Sequence, residues 1–377
     1  MSDHSAVVIG AGIVGLAAAR ALALKGYTVD LFERNPVATG ASIRNFGMVW
    51  AVGQPAGELY DRALRTRHIW EHLAKAAGIW SDPVGSLHVA HTEDEWTVLQ
   101  EIHDQFRSEG RAVEILDAAA LHRKSAIAIQ KTARGGMYSP DELIVDPRQA
   151  IRMLPAYLSE KYPIRFHWGK PVTQVSGGQV IVEQKKIQAD LIMICSGSDF
   201  ETLYPLEFAA YPLTKCKLQM MRFMPEEKNQ RIGAALCGGL SLIHYNSFKQ
   251  APSWEKLKRR FEMEMPDYIR EGIHVMVSQN ETGALTIGDS HEYGLSPDPF
   301  DRQEINQRIL EYLWTFAELK NARFIESWNG VYAKLTNGGA DLFFSPEPGV
   351  YILNATGGAG MTLSFGLAED RLSSILF

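Results

Sequence analysis

The 377 residues, 46% hydrophobic and 22% charged, suffice for two packed domains of ordinary size. A net charge of -6 leaves no basic footprint for nucleic acid or an acidic membrane surface, and no apolar run is long and charge-free enough to span a bilayer. The three cysteines, Cys195, Cys216 and Cys237, lack C-x-x-C spacing and fit a reducing cytoplasm better than a disulfide framework.

In chain order, Ala6 to Ile9 reads as a buried parallel strand, and Leu16 to Ala23 as a helix. Between them Gly10, Gly12 and Gly15 fall in a G-x-G-x-x-G spacing, with Ile13 and Val14 opening the helix. Gly10 allows the tight turn, Gly12 lets a pyrophosphate approach the backbone, and Gly15 lets the helix pack on the strand. The helix N-terminus supplies N–H groups and a positive dipole end. Tyr27 to Phe32 reads as a second strand ending at Glu33, where a ribose-binding acid belongs, and a carboxylate there disfavours NADP. The bland alternatives are a βαβ unit without a ligand and a secretory signal. Arg20 interrupts the apolar run, no Lys or Arg precedes it, and no A-x-A site follows.

Val37 to Gly47 is a small-residue loop that is either an ordinary turn region or a second backbone segment along a cofactor. Tyr60–Ala77 has helical spacing, Gly85–Ala90 alternates like a strand, and Glu93–Glu109 is helical. Short strands are expected at 136–138 and 143–145, and Asp146-Pro147 opens a helix through Lys161. Pro171–Val175 and Val180–Glu183 fit a hairpin around Gly177-Gly178, and Ala189–Ser198 fits a parallel strand opening at a ligand crevice. Leu213–Phe223, Leu240–His244, Ile273–Gln279 and Leu285–Asp289 read as strands, with helices at 254–265 and 302–319. Val350–Asn354 is a strand before the glycine-rich Ala355–Thr362, which opens a helix from Leu363. Its N–H groups are donors for an anionic ring edge.

The order of Gly10–Gly15, Glu33-Arg34, Asp146-Pro147-Arg148, the Ala189–Gly197 strand, Trp328-Asn329-Gly330 and Gly357–Thr362 resembles the D-amino-acid oxidase, glycine oxidase and sarcosine oxidase family of flavoproteins over the whole chain. The resemblance implies an α/β fold. A discontinuous Rossmann-like FAD domain takes residues 1–79, 143–205 and 324–377, and a substrate domain with a largely antiparallel sheet takes 80–142 and 206–323. It implies FAD contacts at Gly10, Gly12, Ile13, Val14, Gly15, Glu33, Arg34, Ala41, Ser42, Asn45, Phe46, Gly47, Val172, Ser196, Gly197, Gly357, Gly358, Ala359, Gly360, Met361 and Thr362. The strings Gly239–Tyr245, Gly272–Asn280, Gly288–Gly294 and Trp328–Tyr332 look closer to a branch associated with bacterial phosphonate breakdown. That branch implies oxidation of an aminoalkylphosphonate, such as N-methyl-2-aminoethylphosphonate, through an imine to an aldehyde and an amine.

Relatives acting on amino acids commonly carry Trp-x-Gly-x-Arg-Pro, whose Arg clamps the substrate carboxylate. Here that position is Tyr332, followed by Ala333-Lys334. Arg44, Lys215, Lys217, Lys334 or a protonated His291 are the remaining cations for a phosphonate. No Cys follows Cys237 and no His lies between His4 and His68, so FAD is expected to be held non-covalently. The flavin carries the hydride chemistry, so no catalytic triad is sought. Catalytic candidates are Lys217, His244, His291 and Tyr332. Substrate-side candidates are Arg44, Tyr245, Tyr293, Trp328 and Lys334, with Asp289, Glu292 or Glu326 for an ammonium group. Each has a structural reading beside it: solvated Lys, satisfied core His, core Trp, paired carboxylate. No H-E-x-x-H or C-x-x-C motif exists, so no metal is expected.

The expected partners are a small amine and an electron acceptor, O₂ or a quinone or carrier protein, with no nucleic acid and with oligomeric state open. The other readings are a glycine, sarcosine or D-amino-acid oxidase, a flavin binder without turnover, a monooxygenase lacking an evident NADPH motif, and an NAD-only dehydrogenase.

Overall fold

In the computed structural model, which describes residues 4–226, 231–319 and 321–376, the strand Ser5–Ile9 sits inside a six-stranded sheet. The strand order is Leu342–Glu347, Val350–Asn354, Leu191–Ile194, Ser5–Ile9, Thr28–Glu33 and Ile164–Trp168, parallel except at the first pair. Val7 faces Ile192 on one side and Asp30 on the other. Burial on both faces accounts for the unbroken apolar runs of the two central strands.

The helix Ile13–Leu24 covers this sheet and packs against Gly360–Ser373, which also meets Glu58–Ala77. Its buried alanines, Ala17, Ala18, Ala19 and Ala21, keep the interhelical distance short. Glu58–Ala77 stops at Gly78 in the left-handed conformation, the backbone state glycine adopts without cost. The expected hairpin around Gly177-Gly178 is present, and Lys185–Gln188 adds a third strand to it.

The second sheet has nine strands. From one edge these are Glu292–Gly294, Leu213–Met224, Leu285–Gly288, Met276–Gln279, Ala235–Cys237, Ser86–Ala90, Gly135–Ser139 and Glu114–Asp117, with Arg323–Leu335 along the other side of Leu213–Met224. All its pairings are antiparallel except Ala235–Cys237 with Ser86–Ala90. The helices Glu93–Ser108, Trp254–Glu264 and Gln303–Phe316 bury their apolar stripes in the same core. A Thr92–Glu95 capping box starts the first of them.

One expectation is corrected here. Leu240–His244 is a short helix, not a strand. Leu240 and Leu242 are buried, the Leu240 N–H donates to Tyr312 Oη (2.8 Å), and the Trp254 indole donates to Leu242 O (3.0 Å). Five residues are too few for hydrophobic period to separate helix from strand. Residues 324–335 pair within the nine-stranded sheet, where Leu335 faces Leu213 and Trp328 faces Met220.

Candidate active site

A cavity of about 1530 Å³ runs from the Gly10–Gly12 turn to the inner surface of the nine-stranded sheet. At its first end Gly10 has φ +102°, and a Cβ there would lie 2.4 Å from Cys195 O. Gly12 is the N-cap of Ile13–Leu24 and brings no side chain of its own to the helix end, where an anion can approach the backbone. Ser42 Oγ accepts from Ile13 N (2.9 Å) and so holds the 41–46 loop beside this turn. Glu33 is 9% exposed and accepts from Ala11 N (2.9 Å) and Asn35 N (3.0 Å). Arg34 pairs with Asp199 at 2.6 Å. Asn45 shapes its own loop, donating to Ala41 O and Ser42 O and accepting from Gly47 N. Ser196 and Gly197 follow the central strand, and Asn354 Nδ2 donates to Ser196 Oγ (3.2 Å).

At the middle of the cavity stands Gly357–Thr362, with Gly357 at φ +57°. Thr362 Oγ1 accepts from Trp50 N (2.9 Å). The strand carrying Tyr332 and Lys334 reaches this loop: Lys334 bridges Thr356 through the backbone, and a Cβ on Gly358 would lie 3.5 Å from Tyr332 Oη.

The far end is built of rings. His244 stacks on His274 with centroids 3.6 Å apart, and His291 lies 4.9 Å from His244 and 5.2 Å from His274. Asp289 pairs reciprocally with His274 through the backbone, and its carboxylate lies 3.1 Å from His274 Nε2 and 3.8 Å from His291 Nε2. His291 Nδ1 is 2.8 Å from Gly272 O. Tyr245, Tyr293 and Tyr332 complete the wall, and cross-strand register puts Tyr293 and Tyr332 on either side of Cys216.

Burial sets the charge state of this end. It pushes Asp289 well above the usual carboxylate range and His244 and His274 well below the usual imidazole range. His291 is lowered to about 4 by burial, against its bond to Gly272 O, which raises it. The Tyr332 and Tyr245 phenols are raised well above their ordinary value by burial.

A further buried carboxyl supports the wall. Glu142 accepts from Val52 N (2.8 Å) and Ser86 Oγ (2.7 Å), fixing the turn next to Trp50 and Gly53. Burial raises it from 4.5 to about 7. The folded state thus holds a proton the unfolded chain releases, and the stability present below pH 4.5 is lost as pH rises through about 7. Glu142→Gln is expected to remove this slope, on the order of 3 kcal/mol. Denaturant unfolding of both proteins across that pH window tests it, and parallel pH profiles would refute it.

The family profile described as FAD dependent oxidoreductase matches residues 5–370. The chain belongs to this FAD-dependent oxidoreductase family. It is 26% identical over 258 residues to the tRNA 5-methylaminomethyl-2-thiouridine biosynthesis bifunctional protein MnmC of Saccharophagus degradans, which covers 63% of this chain. The alignment takes in 35% of that relative's own length. Among solved structures it is similar in fold to glycine oxidase from Geobacillus kaustophilus (TM-score 0.78, 19% identity, covering 98% of this chain and 94% of that one). It is similar likewise to L-proline dehydrogenase from P. horikoshii (0.80, 17%, 99% and 93%) and iminodiacetate oxidase from Chelativorans sp. BNC1 (0.74, 17%, 98% and 95%).

The cavity of this FAD-dependent oxidoreductase fits its cofactor. A side chain at Gly12 would crowd the turn where a pyrophosphate approaches, one at Gly10 would push against Cys195 O, Glu33 ends the second strand where a ribose-binding acid belongs, and Gly357–Thr362 lines the same cavity. Ile13, Val14, Arg34, Ala41, Ser42, Asn45, Phe46, Val172, Ser196 and Gly197 also line it. Gly15 and Gly47 do not, and their roles are packing. A Cβ on either would stand 1.9 Å from a backbone oxygen, Gly10 O or Val145 O.

On the substrate side, His244, Tyr245, His291, Tyr293, Tyr332 and Lys334 are brought together. Lys217 is not. Its Nζ donates to Asp298 O (2.6 Å) and Phe300 O and lies 3.4 Å from Asp301, off the cavity. Strand alternation points it away from the face shared by Cys216 and Tyr332. Arg44 lines the cavity, but its guanidinium is taken by Thr39 O and Asn329 O. Trp328 lies between Arg148 and Arg222 and donates to Arg44 O, outside the main cavity. Glu326 pairs with the same two arginines, and Glu292 accepts from Asp298 N. His274 was not expected here. Its parity with the cavity-facing Met276, and with Ser278, which donates to Phe46 O, was the available signal.

The expectation of no metal site rested on the absence of a local motif. The structure brings His244, His274 and His291 together from three separate segments, a convergence no local spacing reveals.

Proposed function

We propose that this FAD-dependent oxidoreductase oxidises a small primary or secondary amine carrying an oxyanion at its other end, with an aminoalkylphosphonate such as N-methyl-2-aminoethylphosphonate as the substrate. One observation carries the reading. Tyr332 occupies the position where a carboxylate-clamping Arg is expected, while Lys334 faces the cavity with its ammonium 3.3 Å from Tyr293 Oη and without an ion-pair partner among the described residues. Of the other cavity-lining cations, Arg34 and Lys215 are neutralised by Asp199 and Glu201, Arg44 is held by Thr39 O and Asn329 O, and Lys249 is exposed. A single point charge suits a tetrahedral oxyanion better than the planar, bidentate demand of a carboxylate.

Bound FAD supplies the hydride acceptor. The chain's own work is placement: Lys334 holds the oxyanion, and Tyr332 and Tyr293 confine the substrate beside Gly357–Thr362. The buried, uncharged imidazoles keep the amine in a setting that favours its neutral form. The imine released takes up water and yields an aldehyde and an amine. Non-covalent FAD is supported by the burial of Cys195, Cys216 and Cys237, and the three free thiols suit a cytoplasmic setting.

An anaerobic titration of the flavin spectrum tests the reading, with N-methyl-2-aminoethylphosphonate, 2-aminoethylphosphonate, glycine, sarcosine and a D-amino acid. Bleaching by the phosphonates alone is expected. Bleaching by sarcosine or glycine would return the protein to amino-acid oxidation. Oxygen uptake during turnover separates O₂ from a quinone or carrier as acceptor.

A further inference from the structure

We propose that His244, His274, His291 and Asp289 form a site for one divalent transition-metal ion of the Zn²⁺ class, open to the substrate cavity. One ligand nitrogen from each imidazole lies within 4.8 Å of the others. Four-coordinate zinc with Zn–N of about 2.0–2.1 Å brings its nitrogens to roughly 3.4 Å, so the stacked rings must turn to aim their in-plane lone pairs at one point.

The hydrogen bonding asks for a cation. His291 donates through Nδ1 to Gly272 O, which leaves a lone pair on Nε2, and that lone pair faces the Asp289 carboxylate at 3.8 Å. His274 Nε2 stands 3.1 Å from the same carboxylate without hydrogen-bond alignment, and His274 Nδ1 and Asp289 Oδ1 are buried without a hydrogen-bond partner. Lone pairs turned toward a carboxylate need something positive between them. A proton satisfies one imidazole, whereas a metal ion satisfies Asp289 and all three. The His291–Gly272 bond is also the outer contact that fixes tautomer and ring direction in histidine-ligated metal sites. Nitrogen-rich donor sets select zinc, cobalt, nickel or copper over calcium or magnesium.

The metal site stands on these contacts alone. Its use does rest on the substrate reading above: the ion would expand to five-coordinate and take an oxygen of the substrate's oxyanion, next to Lys334.

The test uses the FAD-loaded protein, stripped with a chelator and titrated with Zn²⁺, with metal per flavin measured after gel filtration. One equivalent is expected. His274→Ala, His244→Ala and Asp289→Asn should each weaken retention at least about tenfold, with the flavin band reporting an intact fold. Wild-type protein loaded with Co²⁺ needs no variant. It should show d–d bands and a paramagnetically shifted, slowly exchanging imidazole N–H from His291. Absence of stoichiometric Zn²⁺, or retention unchanged when all three histidines are replaced, overturns the site. Since neither readout requires turnover, zinc bound through the histidines with no bleaching by phosphonates would sink the substrate reading and leave the metal. Bleaching without metal would do the reverse.

Discussion

Gly10→Ala is expected to yield a colourless protein. The added Cβ would stand 2.4 Å from Cys195 O, in a residue whose own N–H is tied to Ile9 O, and φ +102° is strained for any L side chain. Backbone strain and overpacking each cost about 1–3 kcal/mol. The turn would open at the point where a pyrophosphate must approach, so the loss falls on cofactor affinity as well as stability. Flavin absorbance per protein should drop more than about tenfold after gel filtration, following the conversion of roughly 1.4 kcal/mol per decade. Wild-type protein precipitated with acid should release all its flavin to the supernatant. A yellow Gly10→Ala protein with wild-type flavin content would mean that the phosphates lie elsewhere.

The second large effect is expected at Lys334. Lys334→Met keeps the length and the apolar stem and removes the charge. A hydrogen bond to a charged group contributes about 1.5–3 kcal/mol, so KM for an aminoalkylphosphonate should rise roughly 10- to 100-fold. Turnover at saturation should change less than about threefold, the signature of lost binding common to ground and transition states. Lys249→Met is the comparison: this residue lines the same cavity but is exposed, so its effect should be smaller. Equal KM values for wild type and Lys334→Met would remove Lys334 from the substrate.

The cofactor half was legible because its signals are local. Strand, three glycines, helix, strand and Glu33 occupy one short stretch, and each glycine's role follows from backbone geometry that neighbours in sequence determine. The Gly357–Thr362 loop was legible for the same reason. The substrate half was legible in part. His244, Tyr245, His291 and Tyr293 stood out as polar pairs beside apolar runs, but His244 was placed on a strand that is a helix. Lys217 misled because alternation says that residues 216 and 217 face opposite ways, without saying which way the cavity lies. That information is carried by the pairing of Leu213–Met224 with Arg323–Leu335, over a hundred residues away. His274 was hidden by good company: Ile273, Val275 and Val277 make its segment look like core, and its meeting with Asp289, His244 and His291 gives it another role.

The interleaving of the two sheets bears on the order in which the molecule is made. Gly10 and Gly357 bracket nearly the whole described chain, yet both line one cavity. Contacts this distant in sequence close late, because the intervening chain must first be ordered. During synthesis the strand–turn–helix of Ser5–Leu24 can form early, but the opposite wall of the flavin cavity waits for Gly360–Ser373 to dock beside Ile13–Leu24. Cofactor capture thus depends on long-range docking: until Gly360–Ser373 meets Ile13–Leu24, the cavity lacks one of its walls.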